Sequence, residues 1–176
     1  DLVGRDVAHI DDVVTRMQDA AEQDPAALEP IDVSSLIEQL LDERREQIAM
    51  RRLLVLRELE RESPLAWAEP ASLRIALAGL LDRALDSLPE RGDLFVATRH
   101  VDRGQDGEPR LRILLRHHNP EAPARGAGEL DELRPEANVI EYVLAETIAR
   151  TSGGSLTLDT SDAQESLILF ELRTPD

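Results

Sequence analysis

The stretch Glu69-Pro70-Ala71-Ser72-Leu73-Arg74-Ile75-Ala76-Leu77-Ala78-Gly79-Leu80-Leu81-Asp82-Arg83-Ala84-Leu85-Asp86-Ser87-Leu88-Pro89 decides how the rest of the chain is read. From Ser72 to Leu88, the apolar residues Leu73, Leu77, Leu80, Leu81, Ala84 and Leu88 recur at helical spacing. Pro89 lacks an amide hydrogen and closes the pattern. A helix this long with one apolar stripe must bury that stripe against another layer.

That layer is predicted on both sides of the helix. Towards the C-terminus, residues 94–101 and 110–117 read as two strands of a hairpin, with Leu111, Ile113 and Leu115 facing one way between mostly arginine neighbours and a turn at Gly104 and Gly107. Residues 119–135 lack periodicity and hold Gly126, Gly128 and three prolines, a loop composition. A helix from Glu136 presents Val139, Ile140, Val143, Leu144 and Ile148, and Gly153-Gly154 stops it. Residues 156–158 and 167–172 are closing strands. Towards the N-terminus, residues 53–59 and 65–68 read as strands. They follow a helix capped by Asp32 and carrying Val33, Leu36, Ile37, Leu40, Leu41 and Ile48 as far as about Met50. Runs of strands with helices able to gather on one face predict an α+β, two-layer sandwich with a mixed sheet.

Val3, Val7, Ile10, Val14, Met17 and Ala21 alternate in steps of four and three, a heptad seam that packs on a second copy or on the chain's own domain. The expected organisation is a stem helix for dimerisation at 1–24, a proline-containing linker at 25–32 and a domain at 33–176.

Composition removes several classes of function. The formal charge of −16, from 36 acidic and 20 basic residues, repels a phosphate backbone, so no nucleic-acid partner is expected. The aromatic content of 2% leaves few stacking platforms. The absence of cysteine excludes disulfides and thiolate metal sites and is compatible with a reducing cytoplasm. His117 and His118 are adjacent and point to opposite faces of a strand, a poor metal pair, and no metal site is expected. Asp82 and Asp86 read as a solvated helix face, and His9 as an exposed helix residue. No signal peptide or membrane span is visible, so a membrane enters only through segments upstream of residue 1.

The element order from Pro30 to Thr174 resembles the Bergerat-fold ATPase domain of bacterial sensor histidine kinases. Pro30-Ile31-Asp32-Val33 is similar to that family's Pro-x-Asp-Leu, and Glu69-Pro70-Ala71-Ser72-Leu73-Arg74 to its Asp-Pro-x-x-Leu-Arg. The segment from Gly79 to Pro89 resembles its asparagine box, Asn-Leu-Leu-x-Asn-Ala-x-x-Ala, and Thr151-Ser152-Gly153-Gly154-Ser155-Leu156 its His-Gly-Gly-x-Leu. The resemblance places the first segment as the second helix of a dimerisation stem.

The same resemblance marks where the chain departs from nucleotide chemistry. Gly79 stands at the box's first asparagine and Arg83 at the second, where the family holds Mg²⁺ with an amide oxygen; a guanidinium has only donors. The adenine motif Asp-x-Gly-x-Gly aligns with His117-His118-Asn119-Pro120-Glu121, and the phosphate-loop motif Gly-x-Gly-x-Ala with Val139-Ile140-Glu141-Tyr142-Val143. The implied degenerate site is Gly79, Arg83, His117, Asn119, Glu121, Val139 and Glu141, with no catalytic residue and no cofactor. The expected function is a two-component signalling module acting by protein contacts, as a stem homodimer that meets a response regulator or a partner kinase in the cytoplasm, on its own or as the cytoplasmic part of a membrane sensor. Two alternatives stay open: an active histidine kinase with atypical ATP and Mg²⁺ binding, and a histidine phosphotransferase between response regulators.

Overall fold

The computed structural model of the chain describes residues 15, 28–104, 107–118, 140–159, 161–162 and 164–175. The stem seam of Val3, Val7, Ile10, Val14, Met17 and Ala21 lies outside them.

Helix α1 (Val33–Glu43) starts where the Asp32 carboxylate accepts from the Ser35 amide at 2.9 Å, the cap expected from the sequence. The single helix anticipated up to Met50 is instead broken at Arg44, and α2 (Arg45–Met50) restarts beyond it. The break has a tertiary cause. Arg44 sends Nε to Asp82 Oδ1 at 2.5 Å and Nη2 to Asp82 Oδ2 at 3.0 Å, while Nη1 donates to the Leu40 carbonyl at 2.8 Å. Asp86 likewise accepts from Gln47 at 3.2 Å. The two aspartates read as a solvated face therefore tie the long helix to α1 and α2.

Strand β1 (Glu29–Asp32) pairs antiparallel with β3 (Leu65–Ala68), with Glu29 opposite Ala68 and Asp32 opposite Leu65. Residues 29–32, read as the end of a linker, are thus part of a two-stranded sheet. Strand β2 (Leu54–Glu58) is joined to β3 by a turn in which the Glu60 carboxylate accepts from the amides of Arg61, Glu62, Ser63 and His100. Those bonds, led by the one from Glu62, hold the Glu60 carboxyl below its ordinary range.

The long helix, α3 (Pro70–Ser87), has proline at its first turn and Glu69 as cap, accepting from Ala71 N at 3.2 Å and Ser72 N at 2.7 Å. Partial burial pushes the Glu69 carboxyl up, but the bonds from the Ser72 hydroxyl and amide and from the Ala71 amide outweigh it, and the net shift is downward. A carboxylate whose pKa falls on folding stabilises the fold above its unfolded value and loses that contribution as pH drops through the folded one. Glu69→Gln is therefore expected to flatten the loss of stability on acidification below about pH 4.5, the ordinary glutamate value. Urea melts of both chains at pH 7 and pH 3 test this, and parallel pH profiles would sink it.

Strands β4 (Asp93–Val101), β5 (Arg110–His118), β6 (Ser155–Asp159) and β7 (Glu165–Arg173) complete a five-stranded sheet in the order β2-β4-β5-β7-β6. β2 runs parallel to β4 and the other neighbours are antiparallel, so the sheet is mixed, as anticipated. Alternation sorts the side chains. Leu94, Val96, Leu111, Ile113, Leu115, Ile168, Phe170 and Leu172 face the helices and are at most 1% exposed, forming one core cluster with Leu73, Leu77, Leu80, Leu81, Ala84 and Leu85 of α3. Each such leucine contributes roughly 2 kcal/mol by leaving water. The opposite face carries exposed Leu54, Leu56, Arg99, Arg116 and Thr157, so the helices lie on one side.

Helix α4 (Ile140–Thr151) buries Tyr142, Leu144, Ala145, Ile148 and Ala149, whereas Val143 is 40% exposed. The stripe is rotated from the one expected, which included Val143. Alanines at 145 and 149 let the helix approach closely and leave the valine outside. Val139 lies outside the described residues. Gly153 and Gly154 end the helix as the sequence suggested: Gly153 adopts φ +70°, its amide donates to Arg150 O at 3.0 Å, and the Gly154 amide donates to Ala149 O at 2.8 Å. No described helix is long and apolar enough to cross a membrane.

Candidate functional site

Gly79, Arg83 and Ser87 recur every four residues on α3, which places them on one face of that helix. Gly79 is buried beneath α4: a Cβ added there would lie 3.7 Å from Cγ of Glu141 and 3.8 Å from its Cβ. That spacing admits a methyl group in ordinary contact. A side chain the size of asparagine would need the space now filled by the Glu141 methylenes. Gly79 and Glu141, placed at one site by the resemblance, are thus neighbours in the fold.

Arg83, one turn further along, is half-buried, and among the described residues no carboxylate or carbonyl takes its guanidinium. It has no lone pair to offer a cation, so position 83 does not fit a magnesium ligand. Nor does any group of three or more carboxylates and histidines among the described residues form a metal cluster.

His117 closes the helix-facing row of β5 and is 6% exposed, while His118 points to the other face and is exposed. The opposite orientation expected of the pair is what the strand produces. His117 Nε2 lies 3.4 Å from Ser87 Oγ, and that hydroxyl donates its one proton to Ala84 O at 2.8 Å. The bond therefore requires Nε2 to carry the hydrogen. In that tautomer Nδ1 keeps its lone pair and is the acceptor of the ring. Sequence reasoning missed Ser87 as a neighbour of His117, although its spacing from Gly79 and Arg83 was visible.

Asn119, Glu121 and Val139 lie outside the described residues. What the structure brings together is a helix face with Glu141 at one end, Arg83 in the middle and His117 at the other.

No protein-family model matches the chain, and no curated protein does. Solved structures match it through their fold. The catalytic domain of histidine kinase ThkA superposes with a TM-score of 0.66 at 14% identity, over 84% of this chain and 95% of that one. Histidine kinase AdeS from Acinetobacter baumannii gives a TM-score of 0.71 at 12% identity, over 98% of this chain and 80% of that one. ThkA solved in complex with response regulator protein TrrA gives 0.73 at 13% identity, over 99% of this chain and half (50%) of that one. The architecture is an α+β sandwich with a mixed sheet and its helices on one face. Its fold is that of the ATPase domain of bacterial histidine kinases.

Proposed function

We propose that this chain is a two-component signalling module that keeps the histidine-kinase fold, has lost ATP binding and works through protein contacts without a cofactor. The observation that carries the reading is the packing of Glu141 over Gly79 with Arg83 one turn away. In this reading a carboxylate stands where the resemblance implies a phosphate loop, and a cation stands where it implies a metal ligand. One like-charge contact at ~4 Å and an effective dielectric of ~20 costs roughly 4 kcal/mol, about a thousandfold in affinity. Glu121 adds a second negative charge to the same motif set.

The partners follow the same line. ThkA has been solved in complex with response regulator protein TrrA, and a response regulator or a partner kinase is the contact proposed here. The heptad seam from Val3 to Ala21 supports a homodimer through the stem. Light scattering of the full chain checks it, and a strictly monomeric mass would remove that part of the proposal. The module is placed in the cytoplasm, on its own or as the inner part of a membrane sensor.

A second reading, an active kinase with atypical nucleotide binding, is favoured by one observation. The Arg83 guanidinium is half-buried with no carboxylate among the described residues to occupy it, and a guanidinium can meet a phosphate directly. Calorimetry with millimolar ATP, with and without Mg²⁺, separates the two. No saturable heat is expected from the unmodified chain or from Arg83→Asn, because one arginine is one defect among several. A low-micromolar constant in the unmodified chain would overturn the proposal in favour of the kinase.

A further inference from the structure

The two edges of the large sheet are built differently. On β6 the residues facing away from the helices are Ser155, Thr157 and Asp159, all exposed and polar, the usual protection of an open edge. On β2 the corresponding residues are Leu54 and Leu56, 55% and 48% exposed, followed by exposed Glu58. Among the described residues nothing pairs with the outer side of β2.

The backbone of β2 is also oriented for pairing. The Leu54 amide donates inward, to Gly92 O at 2.9 Å, at the start of the β2–β4 ladder. In a parallel ladder alternate residues bond to the same side. The amides and carbonyls of Val55 and Arg57 therefore point to the open edge.

We infer that β2 pairs with β2 of a second copy of this chain, antiparallel and centred on Val55. Three features select that occupant and that register. Val55 then meets Val55 of the second copy as a hydrogen-bonded pair, using the groups that point outward. Leu54 meets Leu56 of the second copy, and Leu56 its Leu54, as closer non-hydrogen-bonded pairs on the outer face. Arg52, exposed in the turn just ahead of the strand with φ +55°, lies at the end of β2 that comes beside Glu58 of the second copy, so a basic end meets an acidic one. Glu58 already meets Arg99 at 2.8 Å, an exposed pair that leaves the carboxylate free to accept a second cation. Sliding the register two residues, to centre on Leu56, sets leucines against glutamates and keeps one leucine pair. The strand is self-complementary in one register, the condition for a two-fold contact. This interface does not depend on the nucleotide site or the stem.

The test uses the full chain carrying Ile10→Asp, which disables the stem seam so that only the edge is read. Sedimentation at moderate salt, where the long-range repulsion of the acidic chain is screened, is expected to show concentration-dependent dimers. A Leu54→Glu/Leu56→Glu variant should dimerise at least tenfold more weakly. Mixing it with a Leu54→Lys/Leu56→Lys variant should restore the dimer, which a purely local role for these leucines would not do. Register is read by disulfides, since the chain has no cysteine of its own. Leu54→Cys copies mixed with Leu56→Cys copies should cross-link to each other. Equal masses for the parent and the glutamate variant would overturn the interface, and Leu56→Cys cross-linking to itself in preference would overturn the register.

Discussion

Gly154→Ala is expected to cost the domain at least about 3 kcal/mol, the upper part of the range for overpacking, and to lower its melting temperature by roughly 6–12 °C. A Cβ on residue 154 would sit 1.9 Å from the carbonyl oxygen of Glu171 and 3.3 Å from Cα of Leu172. Both are backbone atoms of β7, a strand hydrogen-bonded on each side, so neither can swing away as a side-chain tip would. The turn between α4 and β6 would have to lift off the sheet, losing the bond from the Gly154 amide to Ala149 O. Gly107→Ala is the control. Gly107 has a positive φ, +84°, but open space lies where its Cβ would go, so only the backbone preference of about 1 kcal/mol is lost. Thermal melts of the two variants side by side decide the matter, and equal losses would show that the close approach to Glu171 is not what requires glycine at 154.

Arg112→Leu is expected to cost about 3 kcal/mol, while the double replacement Arg112→Leu/Glu171→Leu stays within about 1 kcal/mol of the parent. The two residues are directly opposite on β5 and β7, and Arg112 Nε donates to Glu171 Oε1. The Glu171 side chain is 7% exposed against 36% for arginine, so the carboxylate depends on its partner more than the guanidinium does. Removing the arginine alone leaves a buried charge with the Ser155 hydroxyl, at 3.4 Å, as its remaining side-chain donor among the described residues. Breaking a buried pair from one side costs about 3–5 kcal/mol, whereas replacing both members with apolar residues is often neutral; the lower end applies because Arg112 reaches water. Urea melts at pH 7 measure both, and a single variant no worse than the double would remove the argument.

The parts of this fold legible in the sequence are those fixed by local pattern. The leucine spacing of α3 between Pro70 and Pro89, the Asp32 cap, the alternation of β5 and the Gly153-Gly154 stop all depend on residues within one turn or one strand. What was not legible depends on distant partners. Glu29-Pro30-Ile31-Asp32 has the composition of a linker and becomes a strand because Leu65–Ala68 lies beside it. The segment from Val33 to Met50 is rich in helix formers, and it breaks at Arg44 because Asp82 on another helix takes the guanidinium. The site divides in the same way. Gly79, Arg83, His117 and Glu141 were found through resemblance to motifs, whereas the contact of Glu141 with Gly79 depends on how α4 lies on α3. Spacing alone could not supply that packing.

The small sheet of β1 and β3 has a mechanical consequence. β1 leads directly into α1, and β3 ends one residue before the Glu69 cap of α3. Tension or torque applied to the chain ahead of Leu28 therefore does not stop at a slack tether. It is borne in shear by the ladder from Glu29–Ala68 to Asp32–Leu65 and delivered to the first turn of the helix that carries Gly79 and Arg83. The ladder works as a clutch plate between whatever turns upstream and the helix face downstream. Slower amide exchange at Ala66 and Ala68 when the upstream segment is held would be the sign that the plate is engaged.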